Sequence, residues 1–248
     1  MGLLARYAGY LWDRASKASW KTMYSMLEEA RNGVLLDLGC GDGGSTMKVA
    51  SYVKVEKIIG IDMDDDTVKK ASSKGITVYK SDLNRRFPIE DDSVDIVFAN
   101  QVIEHLINID NFISEIYRCL RPNGYVLICT ENLASWHNIF ALILGEQPSS
   151  GPFVSTKFVV GLQPLHPICE NPLSKRGSYE SAYMKHNTVL SYKALRKVFE
   201  LYGFESIRII GSGYHPSPSP VSELFTRVDP CHAHFLTLKG RKPKTEVM

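Results

Sequence analysis

The 248-residue sequence has little net charge, no cysteine framework and no long apolar run. Its 29 basic residues nearly balance 27 acidic ones, formally +2 at neutral pH, which leaves no electrostatic footprint for nucleic acid. The locally basic stretch 239–244 (K-G-R-K-P-K) reads as a solvated tail. Five cysteines, at positions 40, 119, 129, 169 and 231, contain no C-x-x-C pair, which argues against a disulfide scaffold and for a reducing compartment. Neither His166 with Cys169 nor Cys231 with His232 and His234 has the spacing of a usual zinc site, so no metal is expected. The longest apolar run, 139–144, is far too short to span a bilayer, and no secretory signal pattern is visible. A soluble cytoplasmic protein is expected.

What is present is an alternation of β-rich runs and amphipathic helices. A helical N-terminal segment (1–32, clearest over 19–30) precedes strands expected at 34–38, 57–62, 76–80, 94–99 and 125–130. Helices are expected at 45–53, 65–73 and 109–120, the last stopped by the turn Arg121-Pro122-Asn123-Gly124. Asp64 or Asp65 can cap the second helix and Asn108 or Asp110 the third. Glu104 and Arg118 are expected on exposed or locally paired helix faces. A late helix at 191–202 precedes strands near 206–210 and 234–239. This β-α-β-α order predicts one α/β domain over 1–248, a Rossmann-like doubly wound sheet with helices on both faces. Its parts are a ligand-binding core (33–130), an insertion (131–190) and a C-terminal helix with strands (191–240).

The stretch 34–44, V-L-L-D-L-G-C-G-D-G-G, is the most informative motif. A short apolar strand ends in an acid, and Gly39, Gly41 and Gly44 follow in the spacing G-x-G-x-x-G. Glycine there permits a sharp turn and close approach of a ligand to bare backbone, before a helix start with unsatisfied N–H groups. Asp37, Asp62, Asp82 and Asn100 stand at or just after strand ends, where doubly wound sheets bind ligands. Asp62 also occupies the acidic position of a dinucleotide fingerprint, so the loop alone leaves an NAD-dependent oxidoreductase open. Asp37 ahead of the glycines, Asp82 after the third strand and the lack of a second substrate domain weigh against it.

The pieces L-L-D-L-G-C-G-D-G (35–43), I-I-G-I-D-M (58–63), S-D-L-N-R-R-F-P-I-E-D-D-S-V-D-I-V-F-A-N-Q-V-I-E-H-L (81–106) and R-P-N-G (121–124) together resemble class I S-adenosylmethionine-dependent methyltransferases. The likeness is strongest to the ubiquinone- and menaquinone-biosynthesis group, and 186–204 looks like that family's late helix and strand. The resemblance implies a seven-stranded sheet whose last strand is antiparallel, with S-adenosylmethionine as cofactor. It places Gly39, Cys40 and Gly41 beneath the amino-acid part, with Asp37 near the ammonium and Asp62 on the ribose hydroxyls. Met63 would lie on the adenine face, Asp82 and Leu83 at the adenine edge, and Asn100 beside the methionine portion.

Methyl transfer needs alignment and exclusion of water more than covalent help. An acceptor hydroxyl or activated carbon also needs a proton acceptor, and His105 in E-H-L is the best-placed base or positioning residue. His137, His166 and His186 are weaker candidates. No N-P-P-Y-type or D-P-P-Y-type tetrapeptide occurs, which argues against amino methylation of nucleic acid. A small-molecule or lipid-like acceptor, methylated at oxygen or carbon, is therefore expected; a non-catalytic cofactor-binding regulator is the other alternative. The helix expected at 134–144 would sit over the pocket, where its apolar residues could bind an isoprenoid, lipid-linked or aromatic acceptor, although packing in a lid or core is favoured. A homodimer contact or a membrane-surface helix would produce the same pattern.

Overall fold

The computed structural model describes residues 3–148, 150–152, 186–215, 217 and 221–244. Helix α1 (Leu3–Met26) leads into β1 (Val34–Leu38), α2 (Gly44–Val53), β2 (Lys57–Asp62), α3 (Asp65–Ser72), β3 (Thr77–Lys80) and β4 (Val94–Asn100). A 3-10 turn, Ile103–His105, precedes α4 (Ile109–Cys119), β5 (Leu120–Glu131) and α5 (Trp136–Ile143). Then come α6 (Tyr192–Leu201), β6 (Glu205–Ser212), α7 (Val221–Val228) and β7 (Phe235–Arg241). The strands form one seven-stranded sheet in the order β3-β2-β1-β4-β5-β7-β6. β7 alone runs against its neighbours β5 and β6, as the family resemblance implies. Among the described residues no helix is long and apolar enough to cross a membrane.

Alternation along β1 divides the core. Leu36 and Leu38 face one layer with Phe112, Ile113 and Ile116 of α4 and Leu195 and Phe199 of α6. Leu35 faces the other, with Met23 and Met26 of α1 and Val49 and Val53 of α2. Because both faces are covered, β1, β4 and β5 read as continuous apolar runs rather than alternating ones. Phe112, Ile113 and Ile116 are wholly buried, and each contributes roughly 1.5–3 kcal/mol. Asp64 caps α3 by accepting from Thr67 N at 2.7 Å, and Asn108 caps α4 by accepting from Asn111 N at 3.1 Å.

Some boundaries differ from the sequence reading. α1 (Leu3–Met26) lies within the expected helical segment 1–32 but extends well ahead of the 19–30 stretch where the periodicity is clearest, and stops short of its end, because its inner face packs on β5, β6 and β7. R-P-N-G does not separate helix from strand. Leu120 already pairs with Val94, and the ladder resumes at Tyr125 opposite Ile96, so residues 121–124 form a bulge inside β5. Arg121 Nη1 reaches Asp95 Oδ2 at 2.7 Å, and Asn123 N donates to Lys242 O at 3.0 Å, which holds the bulge. α7 has no counterpart in the sequence reading.

Candidate functional site

Strand order reverses between β1 and β4, and the loops at their carboxyl ends carry the candidate residues. The glycine loop is anchored to β2: Gly39 N and Cys40 N both donate to Ile61 O, at 2.8 and 3.2 Å. Asp62 continues that anchoring. Its Oδ2 accepts from Gly41 N at 2.8 Å, while Oδ1 accepts from Met63 N at 2.8 Å, Asp64 N at 3.1 Å and Thr67 Oγ1 at 3.3 Å. One carboxylate thus positions the loop, the end of β2 and the start of α3.

Asp37 lies in the middle of the sheet edge, paired to Gly60 and Phe98, and is buried. Thr46 Oγ1 of α2 donates to its Oδ2 at 2.6 Å. Loss of solvent pushes its pKa up to about 7, the Thr46 hydrogen bond pulls it back and the nearby Asp62 charge raises it further. An acid held there can receive a cationic group. Cys40 is buried, with a thiol pushed up to about 12 by desolvation, so only its backbone is available to a ligand. Its sulfur packs where a side chain at Gly60 would stand.

Gly39 and Gly41 serve different purposes. A Cβ on Gly39 (φ +74°) would meet Val102 Cγ2 at 2.6 Å, whereas one on Gly41 (φ +53°) would meet nothing within 4 Å. Gly39 therefore answers to packing, and Gly41 faces open space where a ligand can lie. Gly39→Ala is expected to destabilise the fold by about 2–3 kcal/mol through strain and clash. Gly41→Ala should cost only ~1 kcal/mol yet abolish measurable binding of S-adenosylhomocysteine, as paired thermal melts and titration calorimetry would show. Equal losses of stability and binding in both variants would refute this division.

The loop after β3 contributes Asp82, whose Oδ1 accepts from Asn84 N and Nδ2, each at 2.9 Å. Asn84 Oδ1 in turn accepts from Ile107 N at 2.8 Å and Asn108 N at 3.0 Å, joining this loop to the segment after β4. Leu83 is buried in the main core, and Met63 and Asn100 are half-buried at their strand ends. The site residues named from sequence are thus brought to one edge of the sheet. Asn84 and Thr46, which brace them, carry no signal that a motif would reveal.

Glu104 corrects the sequence reading. It is not on an exposed helix face but wholly buried, because the chain makes one 3-10 turn after β4 and folds under the end of β5. Its Oε2 accepts from Thr130 Oγ1 at 2.9 Å, and its Oε1 has no hydrogen-bond partner among the described residues. Burial, with the Glu131 charge adding, pushes its pKa up to about 8 against the Thr130 bond and a backbone bond. Arg118 is locally paired as expected, with Glu115 and Asp91. His105 faces His186, ring centroids 5.1 Å apart, and His186 Nδ1 lies 3.7 Å from Glu131 Oε2. Desolvation lowers the His186 pKa, partly offset by Ser150 O, so its ring is neutral near pH 7. Asn187 N and Thr188 N donate to Glu104 O at 2.7 and 3.1 Å, which seats this segment against the 3-10 turn. His166 and Cys169 lie outside the described residues.

Two groups among the described residues bring three metal-capable side chains within 4.8 Å: Glu104 with His105 and His186, and His137 with His215 and His234. Cys231 and His232 join neither; His232 Nδ1 instead pairs with Asp229.

The sequence profile of the family described as Methyltransferase domain matches residues 36–128. Over that stretch the chain is similar to methyltransferase domains. The chain is 37% identical over 100 residues to the "Probable S-adenosylmethionine-dependent methyltransferase" of Mycolicibacterium smegmatis, covering 40% of this chain and 38% of that protein. It is 29% identical over 121 residues to the ubiquinone biosynthesis O-methyltransferase of Rickettsia typhi, covering 45% and 46% of the two chains. The matched stretch therefore spans less than half of these curated relatives. In fold, the chain is similar to the S-adenosylmethionine-dependent methyltransferase of Mesorhizobium loti, with TM-score 0.60 at 17% identity, covering 91% and 98% of the two chains. The matched stretch ends at residue 128, so Glu131, His186 and both apolar helices α5 and α7 lie beyond it.

Proposed function

We propose that the protein transfers a methyl group from S-adenosylmethionine to oxygen or carbon of an amphipathic, lipid-like small molecule. The observation that carries the acceptor class is the orientation of α5. The sequence reading favours an apolar face packed inward, but the helix buries His137, Asn138 and Ala141. Phe140, Leu142, Ile143 and Leu144 are instead 53%, 58%, 74% and 56% exposed. The inner face is polar because Asn138 Nδ2 donates to Asn132 O at 3.1 Å and His137 meets Ser150, both buried. Val221, Leu224, Phe225 and Val228 of α7 are exposed too, and Trp136 Nε1 and Phe225 both contact Tyr214. Two neighbouring helices therefore present apolar surface beside the carboxyl edge of the sheet, as a lipid-like tail or a membrane interface would use.

Gly39, Gly41, Asp37, Asp62, Met63, Asp82, Leu83 and Asn100 would hold the cofactor, which supplies an activated methyl carbon. The open space at Gly41 and the buried acid at Asp37 fit such a cationic, nucleoside-bearing group. His105 takes the proton of an acceptor hydroxyl or carbon acid, with Glu104 beneath it and neutral His186 beside it. The free thiols of Cys40, Cys119, Cys129 and Cys231 accord with a cytoplasmic setting.

A panel of phenol and quinol acceptors, with and without an isoprenoid tail, tests the acceptor class. Phe140→Glu combined with Ile143→Glu is expected to lower turnover of tailed acceptors by about tenfold or more, because one lost apolar contact is worth ~1.5–3 kcal/mol. Tail-less acceptors and S-adenosylhomocysteine affinity should be unchanged. Loss of a dimer in light scattering, with tailed turnover intact, would assign this face to a second copy instead. Tight cofactor binding with no transfer to any acceptor would favour a non-catalytic regulator.

A further inference from the structure

Three imidazoles from separate elements converge at the far side of α5 from its apolar face. His137 belongs to the first turn of α5, His215 lies three residues past β6, and His234 immediately precedes β7. Their relative exposures are 5%, 6% and 2%. Ring centroids are 4.4 Å apart for His215 and His234, 4.8 Å for His137 and His234, and 5.4 Å for His137 and His215. One nitrogen from each lies within 4.8 Å of the others.

The chemistry of the cluster is that of a ligand set. Buried imidazoles ordinarily satisfy both nitrogens. His215 is tied to the Leu11 backbone by a bond that favours a protonated ring nitrogen, yet its buried Nε2 has no hydrogen-bond partner among the described residues. One N–H on a backbone carbonyl and a lone pair turned elsewhere is the arrangement of a metal-bound histidine. Ser150 Oγ and Ser135 Oγ lie 3.2 and 3.4 Å from His137 Nε2 and fix that ring. Zinc–nitrogen bonds of about 2.0–2.1 Å put tetrahedral ligand nitrogens roughly 3.3 Å apart, within reach of small ring rotations. Three imidazoles with no carboxylate among them suit a zinc-type ion and not magnesium or calcium.

We propose that His137, His215 and His234 bind a zinc-type divalent transition ion that staples α5 to the corner between β6 and β7. His215 extends the clamp to α1 through Leu11. The ion would hold the helix that bears the exposed apolar face, and the proposal stands whether or not the acceptor is lipid-like.

The full chain, loaded with zinc and desalted, is expected to retain about one zinc per chain by elemental analysis. Cobalt loading should produce the visible ligand-field bands of a four-coordinate site, reversed by chelator. Zinc should raise the melting temperature by roughly 10 °C at saturating concentration. His215→Gln and His234→Gln should each lose the cobalt bands and the thermal shift, while His232→Ala, outside the cluster, keeps both. Wild-type chain with less than about 0.1 zinc and no cobalt bands would overturn the proposal, independently of how the variants fold. So would bands that survive in both glutamine variants, or that disappear in Glu104→Gln alone.

Discussion

Asp62→Ala is expected to weaken S-adenosylhomocysteine binding by about 100-fold or more. Two effects add. The carboxylate accepts hydrogen bonds from Gly41 N, Met63 N, Asp64 N and Thr67 Oγ1, and so sets the backbone on which the cofactor lies. If it also receives the ribose hydroxyls, truncation removes two charge-assisted bonds of about 1.5–3 kcal/mol each. Stability should fall less, by roughly 1–2 kcal/mol, because the released N–H groups sit at a half-exposed strand end and can take water. Asp65→Ala is the control. That carboxylate pairs with Lys80 at 2.7 Å on the surface, with 68% of its side chain exposed, so binding should stay within a factor of two or so. Calorimetric titration against both variants measures the difference. An Asp62→Ala affinity within about threefold of wild type would place the cofactor elsewhere.

Glu104→Gln is expected to stabilise the protein at high pH and to leave it nearly unchanged at low pH. Burial raises the folded-state pKa of Glu104 from its ordinary 4.5 to about 8. Between those values the unfolded chain has released a proton that the folded chain retains, so wild-type stability falls as pH rises through this window and levels off above it. The amide isostere carries no charge to desolvate, and it keeps a partner for Thr130 Oγ1. The melting temperature of Glu104→Gln should therefore exceed wild type by roughly 5–10 °C at pH 9, on the order of 3 kcal/mol, and match it within a few degrees at pH 4. A shallower slope should remain in the variant up to about pH 7, because Asp37 is raised in the same sense. Melting curves from pH 4 to 9 that superimpose for the two proteins would show that the buried Glu104 carboxyl does not control stability. Cofactor binding adds a further expectation. A cationic ligand beside Asp37 should draw it toward its ionised form, with proton release near pH 6.5.

The strands and the glycine loop were legible because their signals are local. An apolar run of β1 length, followed by D-L-G-C-G-D-G, specifies both a buried parallel strand and a tight turn at its end. Capping of α3 and α4 was narrowed to two residues each, and side-chain geometry chose Asp64 and Asn108. The R-P-N-G bulge was misread as a turn because proline and glycine mark a break in either case. Only pairing of Leu120 with Val94 shows that the strand has already begun.

Glu104 and α5 were misread for a common reason. Helical periodicity records which face is apolar and not which face the fold buries. Glu104 lies inward because the chain turns under β5, and α5 lies polar side inward because Asn132, Ser135 and Ser150 offer its residues hydrogen bonds there.

The sequence by itself determined the class of the domain: a doubly wound sheet, a glycine loop, and acids at successive strand ends that fit a nucleoside-bearing cofactor. Those features need only neighbours within a few residues and the regular geometry of strand, turn and helix. The tertiary structure decided what surrounds them. It brought His186 to His105 from some eighty residues away and set Glu104 against Thr130. It also gathered His137, His215 and His234 from three elements. Contacts between residues so far apart depend on how the sheet is ordered and which helix face is buried, and no spacing along the chain encodes them.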